Sequence, residues 1–215
     1  MEESGKERDG GMKVLLINGS PHERGCTYTA LHEMAGVLQA KGIETEIFWI
    51  GKEPIQGCTA CGACKKIGRC AFDRDGVNLC REKLAQADGL VLGSPVYYGA
   101  IAGGMKCFLD RLFYAGKPPR YKVGAAVCTL RRGGGIAAYD QLLSYLQLSE
   151  MVVAPTRYWQ AVHGNTPEEL AQDLEGMQTL RETAASMAWL LESLHRANLP
   201  APQPEQPKRG TNFIR

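Results

Sequence analysis

Met12 to Thr29, MKVLLINGSPHERGCTYT, is the stretch that decides the fold. Val14, Leu15, Leu16 and Ile17 form an unbroken apolar run, the pattern of a parallel strand buried on both faces, and Asn18-Gly19-Ser20-Pro21 stops it abruptly. From Ser20 to Thr27 the chain offers two hydroxyls, backbone N–H groups around Gly25 and the positive end of the helix that follows. An anion belongs in such a loop. The stretch matches neither G-x-G-x-x-G nor G-x-x-x-x-G-K-[ST], which points to the single phosphate of a mononucleotide. A polar strand-to-helix turn without a ligand is the competing reading.

Working outward, Thr27 to Lys41 has helical spacing, and Ile43 to Ile50 alternates as a strand nearer the sheet edge. Leu79 to Ala87 reads as a short helix and Gly89 to Gly93 as a third, buried strand running into the loop Ser94-Pro95-Val96-Tyr97-Tyr98-Gly99. Gly103 to Tyr114 is expected as helix, Lys122 to Thr129 as a fourth strand, and Leu130 to Gly135 (LRRGGG) as another loop. Ile136 to Leu148 returns as helix and Met151 to Ala154 as a fifth strand. A closing helix is expected to start at Thr166-Pro167, with Thr166 and Glu169 as a capping box. Strands alternating with helices predict an α/β fold, a doubly wound open sheet of five parallel strands with helices on both faces. Ligands of such sheets bind outside the carboxyl ends of the strands, where all three small-residue loops fall.

The chain has 215 residues, of which 44% are hydrophobic, enough for one α/β domain. That domain is expected over 12–197, with a disordered N-terminus at 1–11, a cysteine-rich loop at 57–71 and a Pro-rich tail at 198–215. A net charge of +2, from 25 basic and 23 acidic residues, gives no support for nucleic acid or an anionic membrane as partner. The charged N-terminus and the lack of any run of about 18 apolar residues predict a cytoplasmic protein. In a reducing compartment, clustered cysteines are better read as metal ligands or redox groups than as disulfides.

Four of the eight cysteines fall in one such cluster, Cys58-x2-Cys61-x2-Cys64-x5-Cys70. This spacing lets one loop offer a thiolate to each corner of a compact cube, as C-x2-C-x2-C does in ferredoxins. Gly57 and Gly62 permit the loop to curl, and Lys65, Lys66 and Arg69 favour thiolates. A 4Fe-4S cluster is the leading reading, with zinc and unligated thiols as rivals. Because the loop follows the second strand, it is expected at the same sheet edge as the phosphate loop. Cys80, Cys107 and Cys128 are expected as small core residues, and Cys26 lies in the phosphate loop.

SPVYYG and LRRGGG present backbone groups and two tyrosines suited to a flat ring, the way flavodoxin-like proteins hold FMN. GSPHERGCT, GSPVYYGAIAGGMKCFLDR and EGMQTLRETA resemble the NADPH-dependent FMN reductase family, in particular its iron–sulfur flavoprotein branch, over about residues 12 to 195. The resemblance implies an FMN-dependent oxidoreductase. Ser20, His22, Cys26 and Thr27 would meet the phosphate, with His22 and Cys26 standing where the family usually has Arg and Asn. Pro95, Val96, Tyr97, Tyr98 and Gly99, together with Arg131 and Gly133, would complete the cofactor contacts. Cys58, Cys61, Cys64 and Cys70 would hold the cluster. NAD(P)H would be the donor, with the chemistry carried by FMN and no catalytic side chain named.

A small-molecule or protein redox partner and a homodimer or homotetramer are further implications. A flavodoxin-type electron carrier and a thiol-based redox sensor are the alternatives. His163 is a candidate contact to flavin or substrate, against a solvated loop histidine. Arg131 and Arg132 are candidates for the phosphates of a nicotinamide nucleotide. Phe213 and Ile214, at the end of the tail, are expected to dock on the domain or on a neighbouring subunit.

Overall fold

The computed structural model describes residues 11–206. Residues 1–10 and the chain end carrying Phe213 and Ile214 lie outside the described residues. In chain order the elements are β1 (Lys13–Asn18), α1 (Cys26–Ala40), β2 (Glu44–Trp49), α2 (Cys64–Ile67), α3 (Val77–Gln86), β3 (Gly89–Tyr97), β4 (Ala100–Ile101), α4 (Gly103–Tyr114), β5 (Val123–Leu130), α5 (Gly135–Leu148), β6 (Val152–Val153), β7 (Ala161–His163), α6 (Pro167–Leu170) and α7 (Leu174–Ala197). The strand path β2-β1-β3-β5-β6 is parallel throughout. Leaving aside β4, a short antiparallel partner of β3, this is the order 2-1-3-4-5 of flavodoxin-like sheets.

Alternation along β1 divides the core in two, because successive side chains leave a strand on opposite faces. Val14 and Leu16 join Val91 against α1 and α7, through Leu31, Met34, Leu180 and Met187. Leu15 and Ile17 join Leu90 and Leu92 against α4 and α5, through Phe108, Leu109, Leu142 and Leu146. Helices therefore cover both faces, and β2 is the edge strand, exposed or half-buried along its length. No helix among the described residues is long and apolar enough to cross a membrane.

Three elements differ from the sequence expectation. The third strand does not stop at Gly93 but continues through Ser94, Pro95 and Val96 to Tyr97. Beyond the Asn18–Gly93 pair β1 has ended, so the strand keeps β5 on one side only, an edge position where a proline's missing N–H is tolerated. A two-residue turn, Tyr98 at φ 51° and Gly99 at φ 74°, then folds the chain back into β4, as a type I′ hairpin requires. The fifth strand is split in two: β6 pairs with the start of β5, the chain swings out after Pro155, and β7 returns to pair with Cys128 to Leu130. Buried Gln160 anchors that excursion, its amide N–H₂ donating to Thr156 Oγ1 at 2.7 Å and Thr183 Oγ1 at 2.8 Å.

The closing helix is also broken. Thr166 caps α6 as expected, its Oγ1 accepting from Glu169 N at 3.2 Å, but the Glu169 carboxylate reaches Asn165 N, at 2.7 Å. A second cap, Asp173 Oδ1 accepting from Gly176 N at 2.9 Å, starts α7 afresh.

Candidate functional site

At the carboxyl edge of the sheet, the loop between β1 and α1 is braced from beneath by Asn18, whose side chain is fully buried. Its Oδ1 accepts from Ser20 N at 3.1 Å and its Nδ2 donates to Glu23 O at 3.0 Å, so one amide fixes both arms of the turn. Ser20 Oγ accepts from His22 N at 3.1 Å, and Trp49 Nε1, from the end of β2, donates to Ser20 O at 2.8 Å. Gly25 is the N-cap of α1 and contributes no side chain, nor does any other residue cap that helix. The first N–H groups of a long helix thus open into the loop with no side-chain cap among the described residues, which is the arrangement that binds a phosphate.

This loop forms one wall of a pocket of about 760 Å³, a size suited to a cofactor. Of the residues singled out in the sequence, Ser20, His22, Cys26, Thr27, Pro95, Val96, Tyr97 and Arg131 line it. Tyr98, Gly99 and Gly133 do not. Tyr98 stands fully exposed at the hairpin tip, and Gly99 instead backs onto the loop before α5. There Gly134 has φ 89°, and a Cβ on it would lie 2.8 Å from Gly99 Cα. The close approach of these two glycines positions the LRRGGG loop against the β3–β4 turn.

Sequence reading missed Trp49, Lys52, Thr129 and the segment Gly164 to Pro167, all of which line the pocket. Trp49 and Thr129 were legible in principle, since both end parallel strands at the ligand edge. Gly164 to Pro167 was not, because β7 was read as part of a loop.

The Thr27 hydroxyl is not simply free for a ligand. It lies 2.9 Å from Thr129 Oγ1, and both residues are buried. One of the two hydroxyls donates to the other, leaving the acceptor's own proton to offer to a ligand. Burial pushes the Cys26 thiol pKa upward, with Glu169 and Glu168 adding to the shift against the lowering effect of its own backbone N–H. A neutral thiol there places no negative charge beside a bound phosphate.

His163, expected in a loop, ends β7 and does not line the pocket. Asp173 Oδ2 accepts from its backbone N–H at 2.7 Å and lies 3.3 Å from its Nδ1. Burial alone would raise the Asp173 pKa, but the N–H groups of His163 and Gly176 and the His163 ring outweigh it and leave the carboxyl below its ordinary range.

Cys58, Cys61, Cys64 and Cys70 line a single concavity with Phe72, Arg111 and Tyr114. Cys58 and Cys61 are exposed, Cys64 is half-buried and Cys70 is buried. No three His, Cys, Asp or Glu side chains among the described residues are placed to hold one metal ion. The loop leaves the ligand edge after β2 as expected, yet its thiols do not stay there. Gly57 packs beside Cys107 of α4, and the four cysteines share their concavity with Arg111, Tyr114 and Ala115 at that helix's far end. At 1.5 Å per residue, Gly103 to Arg111 is about 12 Å along the helix away from the ligand edge. Cys80 and Cys128 are buried core residues, and Cys107 is half-buried.

Residues 12–166 match the sequence model of a family described as NADPH-dependent FMN reductase. An iron–sulfur flavoprotein of Methanocaldococcus jannaschii is 30% identical over 194 residues, covering 86% of this chain and all of that one (100%). An FMN reductase (NADPH) of Pseudomonas putida is 28% identical over 206 residues, covering 91% of this chain and 93% of that one. Among solved structures, RosB with a bound 8-demethyl-8-formylriboflavin-5′-phosphate superposes with a TM-score of 0.69 at 18% identity, over 95% of this chain and 94% of that one.

Proposed function

Since the chain belongs to the NADPH-dependent FMN reductase family and is an FMN-dependent oxidoreductase, we propose that FMN sits in the pocket at the carboxyl edge of the sheet and that Cys58, Cys61, Cys64 and Cys70 carry a 4Fe-4S cluster. The observation that carries the first part is the uncapped N-terminus of α1, opening into a loop that buried Asn18 holds in shape. FMN bound there would accept a hydride from NADPH and release electrons singly or in pairs.

In this reading the backbone from Ser20 to Thr27 and the Thr27–Thr129 hydroxyl pair hold the phosphate. Pro95, Val96 and Tyr97 flank the ring, and Trp49 keeps Ser20 in place. Arg131 and Lys52, at the pocket rim, offer positive charge to the phosphates of the nicotinamide nucleotide. No side chain is required as a general acid or base for hydride transfer.

The donor set supports the cluster. A mononuclear zinc site draws its ligands to one point, whereas a cube takes one thiolate at each corner. The four cysteines line one concavity, and their C-x2-C-x2-C-x5-C spacing lets one loop offer a thiolate to each corner of a cube. Such a cluster would supply one-electron transfer to a partner. That partner, a small molecule or a protein, and a homodimeric or homotetrameric assembly are proposed on the strength of the family alone.

The test is Cys61→Ser and Cys64→Ser in anaerobically purified protein. Both variants are expected to lose iron and keep FMN, since the thiols and the phosphate loop lie on different parts of the surface. Iron content equal to wild type in both variants would refute the cluster, and a wild-type protein that cannot be loaded with FMN would refute the pocket assignment.

A further inference from the structure

Arg111 is among the largest fully buried side chains of the protein, and the flavin pocket does not use it. It projects from the last turn of α4 into the base of the cysteine loop. An arginine carries five N–H donors in a rigid fork. Here every one of them has an acceptor. Nε donates to Cys70 Sγ at 3.2 Å. One terminal nitrogen donates to Gln56 O at 3.2 Å and to Asp75 Oδ2. The other donates to Phe72 O at 2.6 Å and to Asp75 Oδ1 at 3.0 Å. The residue therefore staples the chain before Cys58 to the chain after Cys70.

Cys70 is held from a second side as well. Asn78 of α3 pairs with its backbone in both directions, Oδ1 accepting from Cys70 N and Nδ2 donating to Cys70 O, each at 3.0 Å. Among the described residues, the other three thiols have nothing comparable. Cys58 and Cys61 are exposed, and Cys64 Sγ makes only a long contact, 3.9 Å, to Tyr114 O. One cysteine of the four is thus rigidly placed, buried, and hydrogen-bonded through sulfur to a permanent charge.

We propose that Arg111 is the positioning residue that sets the reduction potential of the site formed by Cys58, Cys61, Cys64 and Cys70, acting through Cys70 Sγ, with Asp75 as the opposing charge. The inference rests on the cluster assignment above. Adding an electron makes a thiolate-ligated cluster more negative, so a donor and a positive charge at a ligating sulfur favour the reduced form. Asp75, paired to the same guanidinium and largely buried, pulls the other way. The two residues therefore make opposite predictions, which general damage to the loop cannot imitate.

The experiment compares wild type, Arg111→Gln, Arg111→Lys and Asp75→Asn after anaerobic reconstitution. It reads iron and sulfide content, the midpoint potential by spectroelectrochemistry, and the electron paramagnetic resonance of the reduced protein. Arg111→Gln leaves Asp75 uncompensated and is expected to lower the potential. Asp75→Asn leaves Arg111 uncompensated and is expected to raise it. Each shift should change the one-electron reduction equilibrium tenfold or more, which is about 59 mV. Arg111→Lys keeps the charge but cannot span five acceptors, so its potential should fall between wild type and Arg111→Gln. If Arg111→Gln does not fold, Asp75→Asn, which retains the arginine, decides the matter alone. Intact clusters whose potentials do not move, or move in one direction in both variants, overturn the inference while leaving the cluster standing. A wild-type protein that binds no iron or sulfide overturns the cluster reading, and this inference with it.

Discussion

Replacing Asn18 by alanine removes the one side chain that braces both arms of the phosphate loop. Its two hydrogen bonds have different surroundings: the Ser20 N–H is buried with its partner, whereas Glu23 is exposed and its carbonyl can turn to water. Stranding a buried donor costs about 1–3 kcal/mol, and losing a bond that water can replace costs about 1 kcal/mol or less. Asn18→Ala should therefore destabilise the apo-protein by about 1–4 kcal/mol, a fall in Tm of roughly 2–16 °C for a domain of this size. The loop would also lose its preorganisation, so FMN binding should weaken tenfold or more, equivalent to about 1.4 kcal/mol. Urea unfolding of apo-protein gives the first quantity, and quenching of flavin fluorescence on titration gives the second. A variant within about 0.5 kcal/mol of wild type, the range of an inconsequential surface change, and with unaltered FMN affinity, would refute the bracing role.

Gly134→Ala puts a methyl group 2.8 Å from the backbone of Gly99 at a positive φ, so it should cost more than about 1 kcal/mol and weaken FMN binding by displacing the β3–β4 turn; unchanged thermal unfolding would contradict that contact. Because the folded pKa of Asp173 is depressed, its contribution is complete above the ordinary carboxyl value of about 3.9 and is lost as pH falls below it. The stability gap between wild type and Asp173→Asn should therefore stay constant from neutral pH down to about 5 and narrow in acid below about 4; a gap that widens in acid would show the sign to be wrong. Burial pushes the Cys80 thiol far up and the Cys128 thiol up to about 12, so iodoacetamide at pH 8 should modify exposed Cys58 and Cys61 of apo-protein and spare these two until unfolding. Mass spectrometry of the labelled peptides reads this directly, and early labelling of Cys80 or Cys128 would count against a closed core.

Much of the sheet is legible because β1, the first half of β3 and β5 are largely apolar runs bounded by glycine or polar residues, and because α1, α4 and α5 keep a helical period between them. What failed was punctuation. Gly93, Ser94 and Pro95 read as breakers, yet an edge position tolerates a proline that a central one would not. Pro155 does break the fifth strand, but nothing local announces that Ala161 to His163 returns to the same neighbour, since that pairing is a long-range contact with β5. The closing helix is continuous in its apolar stripe across Ala171 to Asp173, and only the cap made by Asp173 shows the break.

The loop from Ser20 to Thr27 is legible as one wall of the pocket because its residues are contiguous in sequence. Trp49, Lys52, Thr129 and Gly164 to Pro167 reach the pocket from three other strand ends, and their convergence is a property of the sheet. Arg111 was passed over for the same reason: in GMKCFLDR it reads as one more helix charge, and only tertiary structure sets it against Cys70.

The most direct test of the account is the quantitation of flavin, iron and acid-labile sulfide in one anaerobically purified and reconstituted sample. It predicts FMN, with no FAD, in equimolar amount with the chain, together with iron and sulfide in the proportions of one 4Fe-4S cluster. Protein that retains FAD alone or no flavin, and takes up neither iron nor sulfide, would contradict it.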